Sequence, residues 1–314
     1  MSFAEQVKDE LARVVPTEVE ARRSELTALL RMGGSLVMGN GGAGIRFVTH
    51  HNPTARKMLT YVKATGGIVP QVMVRRGNKL RKKNVYTLTI LPGPIGQRFL
   101  EELGLLPVTE IRDDEMFRGR EVRRAYLAGA FLGGGSVNRP QGDYHLEFVT
   151  ESIAFATTLV SMLKTFRLQG RIVERKDDYI VYLKTGESVA RLLQIMGADQ
   201  ALLEFENVRV LKDMRNQVNR VVNCETANLQ KTVDAAVRQL RDIELIRSVQ
   251  SLHTLPPRLK EAAELRLAHP DVPLRELAGY TDKKMTKSGL YHRFRKLSDL
   301  ADVLRAQAQD RGES

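Results

Sequence analysis

The chain has 314 residues, which is more than one small domain needs and enough for two or three. Hydrophobic residues make up 42% of it and charged residues 27%, as in soluble globular proteins. No stretch of the sequence approaches the roughly 18 apolar residues of a membrane helix. The opening sequence MSFAEQVKDELARVV lacks the apolar core of a signal peptide. Length and composition therefore argue against a membrane protein and predict a cytoplasmic one.

The charge balance of the chain is strongly basic. Its 49 Lys and Arg residues oppose 37 Asp and Glu residues, which gives a net charge of +12. This excess favours a polyanionic partner, because cations that neutralise phosphates release counterions. The one cysteine, Cys224, allows neither an internal disulfide nor a multi-thiolate metal site, and it suits a reducing compartment. We expect no cofactor and no bound metal.

The first predicted element is an N-terminal helix within residues 1–21, and a repeat domain over 22–206 follows it. Apolar periodicity and turn residues predict one copy of a repeat at about 22–110. Its predicted order is a helix near 22–32, strands near 34–38 and 45–49, a helix near 53–65, strands near 68–75 and 84–90, and a helix near 94–104.

The sequence GNGGAG at 39–44 matches the glycine spacing of dinucleotide-binding loops. Such a loop must open a helix. Here the β-type run IRFVTHH follows instead, and glycine with asparagine between two strands is typical of a hairpin. We therefore predict a hairpin rather than a nucleotide site.

A basic cluster lies within VRRGNKLRKKNVYT, between the last two predicted strands of this copy. The cations would lie at the tip of a hairpin, where they are candidates for a second contact with DNA. The alternative is a solvated loop without a partner. The residues concerned are Arg75, Arg76, Lys79, Arg81, Lys82 and Lys83.

A second copy of the repeat is predicted at about 120–206. ELTALLRMGGSLV at 25–37 and YLAGAFLGGGSVN at 126–138 align at an offset of 101 residues, and FVT occurs at both 47–49 and 148–150. A matched order of elements at one spacing indicates an internal duplication. The predicted fold class is α+β, with two αββαββα repeats.

Small residues line one face of the predicted helix in the second copy. Ala125, Gly129 and Gly133 recur every four residues, and the first copy has Ser24 and Ala28 at the first two equivalent positions. Small side chains at this spacing let two helix backbones approach closely. We therefore expect the two repeat helices to pack against each other.

The stretch LAGAFLGGGS at 127–136 resembles the LAGLIDADG motif of homing endonucleases. In that family, an acid near the end of each motif helix holds the Mg²⁺ that assists phosphodiester cleavage. Gly33 and Gly134 occupy the aligned positions here, and no Asp or Glu occurs at 26–50 or 122–142. The resemblance thus implies a homing-endonuclease-like domain without catalytic residues, although a divergent Mg²⁺-dependent endonuclease remains the alternative.

The C-terminal third is predicted to be helical. Residues 207–230 are polar and basic and are interpreted as a linker, and a helical domain follows at 231–306. Within it, two short helices joined by a basic turn predict a helix-turn-helix at about 273–306. Thr286 is a good N-cap for its last helix, and residues 307–314 are expected to be a disordered tail.

The last helix has the pattern of a helix that reads DNA bases. Polar donors occupy its outward face and cations lie at its edges, as docking in a major groove requires. The alternative is an amphipathic helix whose cations only face water. The predicted DNA-binding residues are Arg275, Lys283, Lys284, Thr286, Lys287, Ser288, Tyr291, His292, Arg293, Arg295 and Lys296.

The combination of these two parts resembles the WhiA family of bacterial regulators over essentially the whole chain. The most specific stretches are DMRNQVNRVVNCETANLQK at 213–231, LPPRLKEAAELRLAHPDVPLRELAG at 255–279 and MTKSGLYHRFRKL at 285–297. The resemblance implies a DNA-binding factor that acts at promoters, is nucleoid-associated, and is linked to cell division, chromosome segregation and, in sporulating relatives, sporulation.

The resemblance also implies that the helix-turn-helix is similar to the part of sigma factors that reads promoter −35 elements. A further interpretation of the chain is an interaction scaffold whose repeat domain binds a protein rather than DNA. A sigma factor with RNA polymerase, or a co-regulator, would be that partner.

Overall fold

Residues 1–39, 41–77, 83–106, 118–280 and 286–312 are described by the structure, a computed structural model of the whole chain. The chain divides into two units, Met1–Asp213 and Met214–Ser314.

The first unit begins with a helix that packs on the repeats. Helix α1, Phe3–Arg13, starts with a capping box, in which the Glu5 amide donates to Ser2 Oγ (3.2 Å) and the Ser2 amide donates to the Glu5 carboxylate (2.9 Å). Its apolar side chains Phe3, Val7 and Leu11 are buried.

Repeat 1 has the predicted order of elements. Its helices and strands begin and end within a few residues of the predicted bounds. The N-terminal helix, expected within residues 1–21, ends at Arg13, and residues 14–18 separate it from the first helix of the repeat. The elements are α2 (Val19–Gly33), β1 (Gly34–Gly39), β2 (Gly42–Thr49), α3 (Asn52–Gly66), β3 (Gln71–Arg75), β4 (Val85–Ile90) and α4 (Pro94–Glu102).

Repeat 2 reproduces this architecture. In each repeat the first helix ends at a glycine, and the next glycine pairs with a phenylalanine of the second strand: Gly34 with Phe47, and Gly135 with Phe148. The offset of 101 residues predicted from the sequence is thus kept in the strand register. The elements are α5 (Arg120–Gly134), β5 (Gly135–Val137), β6 (Leu146–Thr150), α6 (Ile153–Thr165), β7 (Arg171–Arg175), β8 (Asp178–Leu183) and α7 (Gly186–Met196).

Each repeat forms its own antiparallel four-stranded sheet. The strand orders are β1-β2-β4-β3 and β5-β6-β8-β7. This arrangement confirms the predicted α+β class with two αββαββα repeats. It also places the glycine-rich segment 39–44 in the β1–β2 hairpin, where Gly41 has a positive φ of 102° and Gly39 pairs with Gly42. Residue 40 lies outside the described residues.

Helices α2 and α5 pack directly against each other, as the small residues predicted. A Cβ atom on Gly129 would lie 2.1 Å from the Glu25 carbonyl oxygen, and one on Gly133 would lie 2.6 Å from Met32 Cβ. The Ser24 hydroxyl donates to the Val122 carbonyl across the same seam (2.9 Å). Only glycine fits where the two backbones come this close.

A buried ion pair beside this seam joins three helices. Glu25 pairs with Lys57, whose ammonium also donates to the carbonyls of Leu11 (2.7 Å) and Val14 (2.6 Å), and the Tyr61 hydroxyl donates to Glu25 (2.9 Å). Burial raises the pKa of the Glu25 carboxyl and lowers the pKa of Lys57, while each partner's charge opposes these shifts. The group ties the N-terminal segment to α2 and α3.

One helix, α8, extends over Asp199–Val249. Residues 207–230, interpreted from the sequence as a linker, are therefore helical. The prediction relied on weak apolar periodicity, but the chain from Ala198 to Leu255 contains no Gly or Pro that would end a helix. Its middle part is exposed, so intrinsic helix propensity rather than burial accounts for its conformation.

The second unit is helical. The last helix continues to Gly312, so residues 307–312 of the predicted disordered tail are helical, and 313–314 lie outside the described residues. None of the helices in the described part of the chain is long and apolar enough to cross a bilayer. After α8 come a 3₁₀ turn (Leu252–Thr254), α9 (Pro257–Ala268), α10 (Leu274–Leu277), a second 3₁₀ turn (Ala278–Tyr280) and α11 (Lys287–Gly312).

Candidate nucleic-acid interface

Helix α11 is held in the second unit by one apolar face. Leu290, Phe294 and Leu297 on this face are at most 4% exposed, and they pack into a core with α8, α9 and α10. The helix begins with a hydrogen bond from the Gly289 amide to Thr286 Oγ1 (3.1 Å), which confirms Thr286 as its N-cap. This packing fixes which side chains face water.

The opposite face of α11 carries most of the predicted DNA-binding side chains. At 100° per residue, they cover an arc of about 180°. Lys287 and Lys296 lie at the two edges of the arc, and the ring of Tyr291 meets that of His292 edge-on at 6.0 Å. All six side chains of this arc, which we call the α11 face, are exposed: Lys287, Ser288, Tyr291, His292, Arg295 and Lys296.

The other predicted residues of this region have different surroundings. Arg275 is exposed on α10. Arg293 is half-buried and pairs with Glu261 of α9 (2.7 Å), so it holds α11 in place instead of facing outward. Lys283 and Lys284 lie outside the described residues.

A buried arginine that the sequence analysis missed supports the α11 face. Arg266 of α9 is 1% exposed. Its guanidinium donates to Gln239 (3.0 Å) and to the Val272 carbonyl (2.7 Å), and it lies 5.4 Å from the centre of the Phe294 ring. Burial lowers its pKa. Its position on the same stripe as Ala262 and Ala263 was the sequence signal that could have revealed it.

A groove within the second unit adjoins the α11 face. It has a volume of about 560 Å³ between α8 and α11, and Tyr291 and Arg295 form part of its wall. Arg238 and Arg241 of α8 face the same groove. On its floor, the buried Asp242 accepts from Arg305, whose pKa this hydrogen bond raises. The groove adds two cations beside the α11 face.

The basic hairpin of repeat 1 is only partly described. Arg75 and Arg76 are exposed at the end of β3. Lys83 is ion-paired with Glu5 of α1, and its hydrogen bond lowers the pKa of Glu5 to about 2. Lys79, Arg81 and Lys82 lie outside the described residues.

Gly33 and Gly134, the positions that align with the nuclease acids in the sequence, lie at the ends of the seam helices. A Cβ on Gly33 would lie 2.6 Å from the Phe47 ring, and a Cβ on Gly134 would lie 2.7 Å from the Met32 methyl group. A carboxylate at either position would require these neighbours to move. Among the described residues, no group of three or more His, Cys, Asp or Glu side chains is placed to hold a metal ion.

These features define a class of protein, in which a duplicated αββαββα domain precedes a helix-turn-helix unit. Three family models match the chain: the WhiA N-terminal LAGLIDADG-like domain over residues 19–106, the WhiA LAGLIDADG-like domain over 123–215, and the WhiA C-terminal HTH domain over 218–301. The chain belongs to the WhiA family.

Individual relatives agree with the family models over the full length. The chain is 42% identical to the probable cell division protein WhiA of Thermoanaerobacter pseudethanolicus over 313 residues, which cover 97% of this chain and 98% of the relative. It is 45% identical to that of Heliobacterium modesticaldum over 316 residues, 98% of each chain. The crystal structure of full-length DUF199/WhiA from Thermatoga maritima has a TM-score of 0.59 at 26% identity and matches 96% of this chain and 98% of that one.

Proposed function

We propose that the chain is a sequence-specific double-stranded DNA-binding regulator that acts at promoters. The observation that carries the proposal is the α11 face, where six exposed polar or cationic side chains lie on a helix fixed by its buried face. Ser288, Tyr291, His292 and Arg295 would meet base edges, and Lys287 and Lys296 would neutralise phosphates. Arg275 of α10 would add a contact with the DNA backbone.

The cellular role of the regulator is proposed from the family. Its relatives are called probable cell division proteins. We propose that the regulator acts on transcription in the cytoplasm, associated with the nucleoid, with effects on cell division and chromosome segregation. A link to sporulation would hold in sporulating relatives.

The regulator is proposed to bind DNA without cutting it. Support comes from Gly33 and Gly134, which lack the carboxylates that a nuclease needs and at which a Cβ would require Phe47 or Met32 to shift. Incubation of the full chain with its target duplex and Mg²⁺ or Mn²⁺ tests this point. Intact DNA is expected, and metal-dependent cleavage that follows the protein through purification would refute the proposal.

The repeat domain is proposed to make a second contact, for which two partners are in question. Arg75 and Arg76 favour DNA. Exposed apolar side chains on the same sheet, Val48 (47% exposed) and Met73 (67%), favour a protein such as a sigma factor with RNA polymerase or a co-regulator. Replacing both arginines with glutamate tests the DNA contact: lost DNA affinity supports it, and unchanged affinity excludes a DNA contact by these two residues.

The main proposal is tested on genomic sites of the chain, found by mapping where it binds in its own genome. Substituting Tyr291 or His292 is expected to change the sequence preference of the full chain for such a site. Lys287→Ala is expected to weaken binding to all DNA sequences alike and to reduce the steepness of log affinity against log salt concentration by about 1. No enrichment of any genomic sequence would contradict the proposal.

A further inference from the structure

Repeat 2 contains a cavity lined mainly by cations. It lies where the turn before β7, the end of β8 and the start of α7 meet, and its volume is about 370 Å³. Glu187 is its one acidic lining residue. We call it the four-cation pocket, after Arg167, Arg171, Lys184 and Arg191.

The positive charge of the pocket is not neutralised by its surroundings. None of the four cations forms an ion pair with another residue in the described part of the chain. Lys184 lies 4.9 Å from the centre of the Tyr182 ring, which also stacks with His145 at 5.8 Å. All four side chains are exposed, and their shared positive charge around one cavity favours an anion as its occupant.

Repeat 1 shows that the fold does not require these cations. Arg171 pairs with Tyr182 across the strands, as Gln71 pairs with Thr89 in repeat 1. Lys184 lies two residues after Tyr182, and its equivalent in repeat 1 is the exposed Leu91, two residues after Thr89. The same alignment matches Arg191 to Arg98, the only one of the four cations that repeat 1 retains.

Arg167, the fourth cation of the pocket, differs from its repeat 1 equivalent in residue type but not in backbone conformation. Arg167 has a φ of 61°, and Gly67, its equivalent in repeat 1, has a φ of 62°. Glycine adopts this left-handed conformation readily, whereas an arginine does so against its intrinsic preference. The shape of the turn therefore does not favour an arginine over glycine here, whereas an anion in the pocket would use its guanidinium.

We propose that the four-cation pocket binds a small phosphorylated molecule through a di- or triphosphate group. Four cations from three chain segments converge on one concave volume, which suits a compact group with several negative charges. The backbone of DNA spreads its charges along a line instead. The start of α7 at the pocket adds a partial positive charge. This site is separate from the α11 face.

The test uses the full chain and inorganic pyrophosphate, with calorimetric titration at physiological salt. The pocket is converted to the repeat 1 residues by Arg167→Gly, Arg171→Gln and Lys184→Leu together. We expect one molecule of pyrophosphate to bind per chain, and the triple variant to weaken binding by at least about tenfold. Arg98→Ala, at the repeat 1 position equivalent to Arg191, should leave pyrophosphate binding unaltered. If the triple variant folds poorly, Lys184→Leu alone repeats the test, because this position is exposed.

Further titrations distinguish the sources of the phosphate. Orthophosphate should bind more weakly than pyrophosphate, and duplex DNA should bind the triple variant as well as the original chain. The proposal is overturned if pyrophosphate does not bind or if the triple variant binds it equally well. It is also overturned if orthophosphate equals pyrophosphate, or if only DNA affinity falls, since the pocket would then hold backbone phosphates.

Discussion

At the scale of single residues, the seam between α2 and α5 depends on glycines at which any Cβ atom would overlap the facing helix. Gly129 faces the backbone of α2, and a carbonyl oxygen cannot swing aside as a side chain can. Gly133 faces the same helix at Met32 and the Leu29 carbonyl. The residues that resemble a nuclease motif thus act here as a packing surface.

Gly129→Ala is expected to destabilise the first unit, because its methyl group would overlap the Glu25 carbonyl. Overpacking of this kind costs about 1–3 kcal/mol. Scanning calorimetry measures the loss. Gly142→Ala is the matched control, since its Cβ would meet only the Arg139 carbonyl at 3.7 Å, an ordinary contact. Equal melting temperatures for the two variants would contradict the tight seam.

Arg266 plays a comparable role in the second unit. Arg266→Ala would leave the carbonyls of His269, Pro270 and Val272 without their donor, at a cost of about 1–3 kcal/mol. Calorimetry should show a lower unfolding temperature for this unit. Arg258→Ala, at an exposed position of the same helix, should change stability by less than about 0.5 kcal/mol. An Arg266 variant as stable as the Arg258 variant would show that the buried guanidinium is dispensable.

At the scale of elements, helix α1 is attached to repeat 1 partly through the ion pair of Glu5 and Lys83. The hydrogen bond from Lys83, and then that from the Ser2 amide, lower the pKa of Glu5 from 4.5 to about 2. A lowered pKa means that the carboxylate stabilises the folded chain above the unfolded-state pKa. That contribution is lost as the pH falls from about 4.5 towards 2.

Replacing this carboxylate tests its contribution. Glu5→Gln should lower the melting temperature at pH 6, and the difference from the original chain should shrink as the pH falls through this window. Salt should also reduce it, since the pair is near the surface. Glu18→Gln, at an exposed position before α2, is the control. A difference that stays constant from pH 6 to pH 2 would contradict the role of the ion pair.

The elements also show how far the sequence alone leads. The duplicated helices and strands were predictable because each repeat combines apolar periodicity with glycine turns at one offset. Helix α8 was not, because an exposed helix lacks the apolar stripe by which helices are recognised. The pairs Lys83–Glu5 and Arg293–Glu261 escaped as well, since they join residues 78 and 32 positions apart. A sequence pattern can predict that a cation is exposed, but it does not identify the distant residue with which the cation pairs.

At the scale of the whole molecule, duplication produced two repeats with one architecture and different surfaces. Repeat 1 carries Gly67, Gln71 and Leu91 where repeat 2 carries three cations of its pocket. Each repeat contributes one helix to the seam, and Gly33 and Gly134 stand at the positions aligned with the nuclease acids. The second unit supplies the helix-turn-helix, so the main proposed DNA contact belongs to the part of the chain outside the duplication.

The most direct test of the proposed function is the affinity of the full chain for a duplex containing one of its genomic sites, followed by fluorescence anisotropy. Arg295→Ala should weaken binding by about tenfold or more, since a base contact is worth about 1–3 kcal/mol. Arg247→Ala, an exposed position of the same unit outside the α11 face, should bind like the original chain. Unchanged affinity of the Arg295 variant at physiological salt would contradict DNA reading by α11.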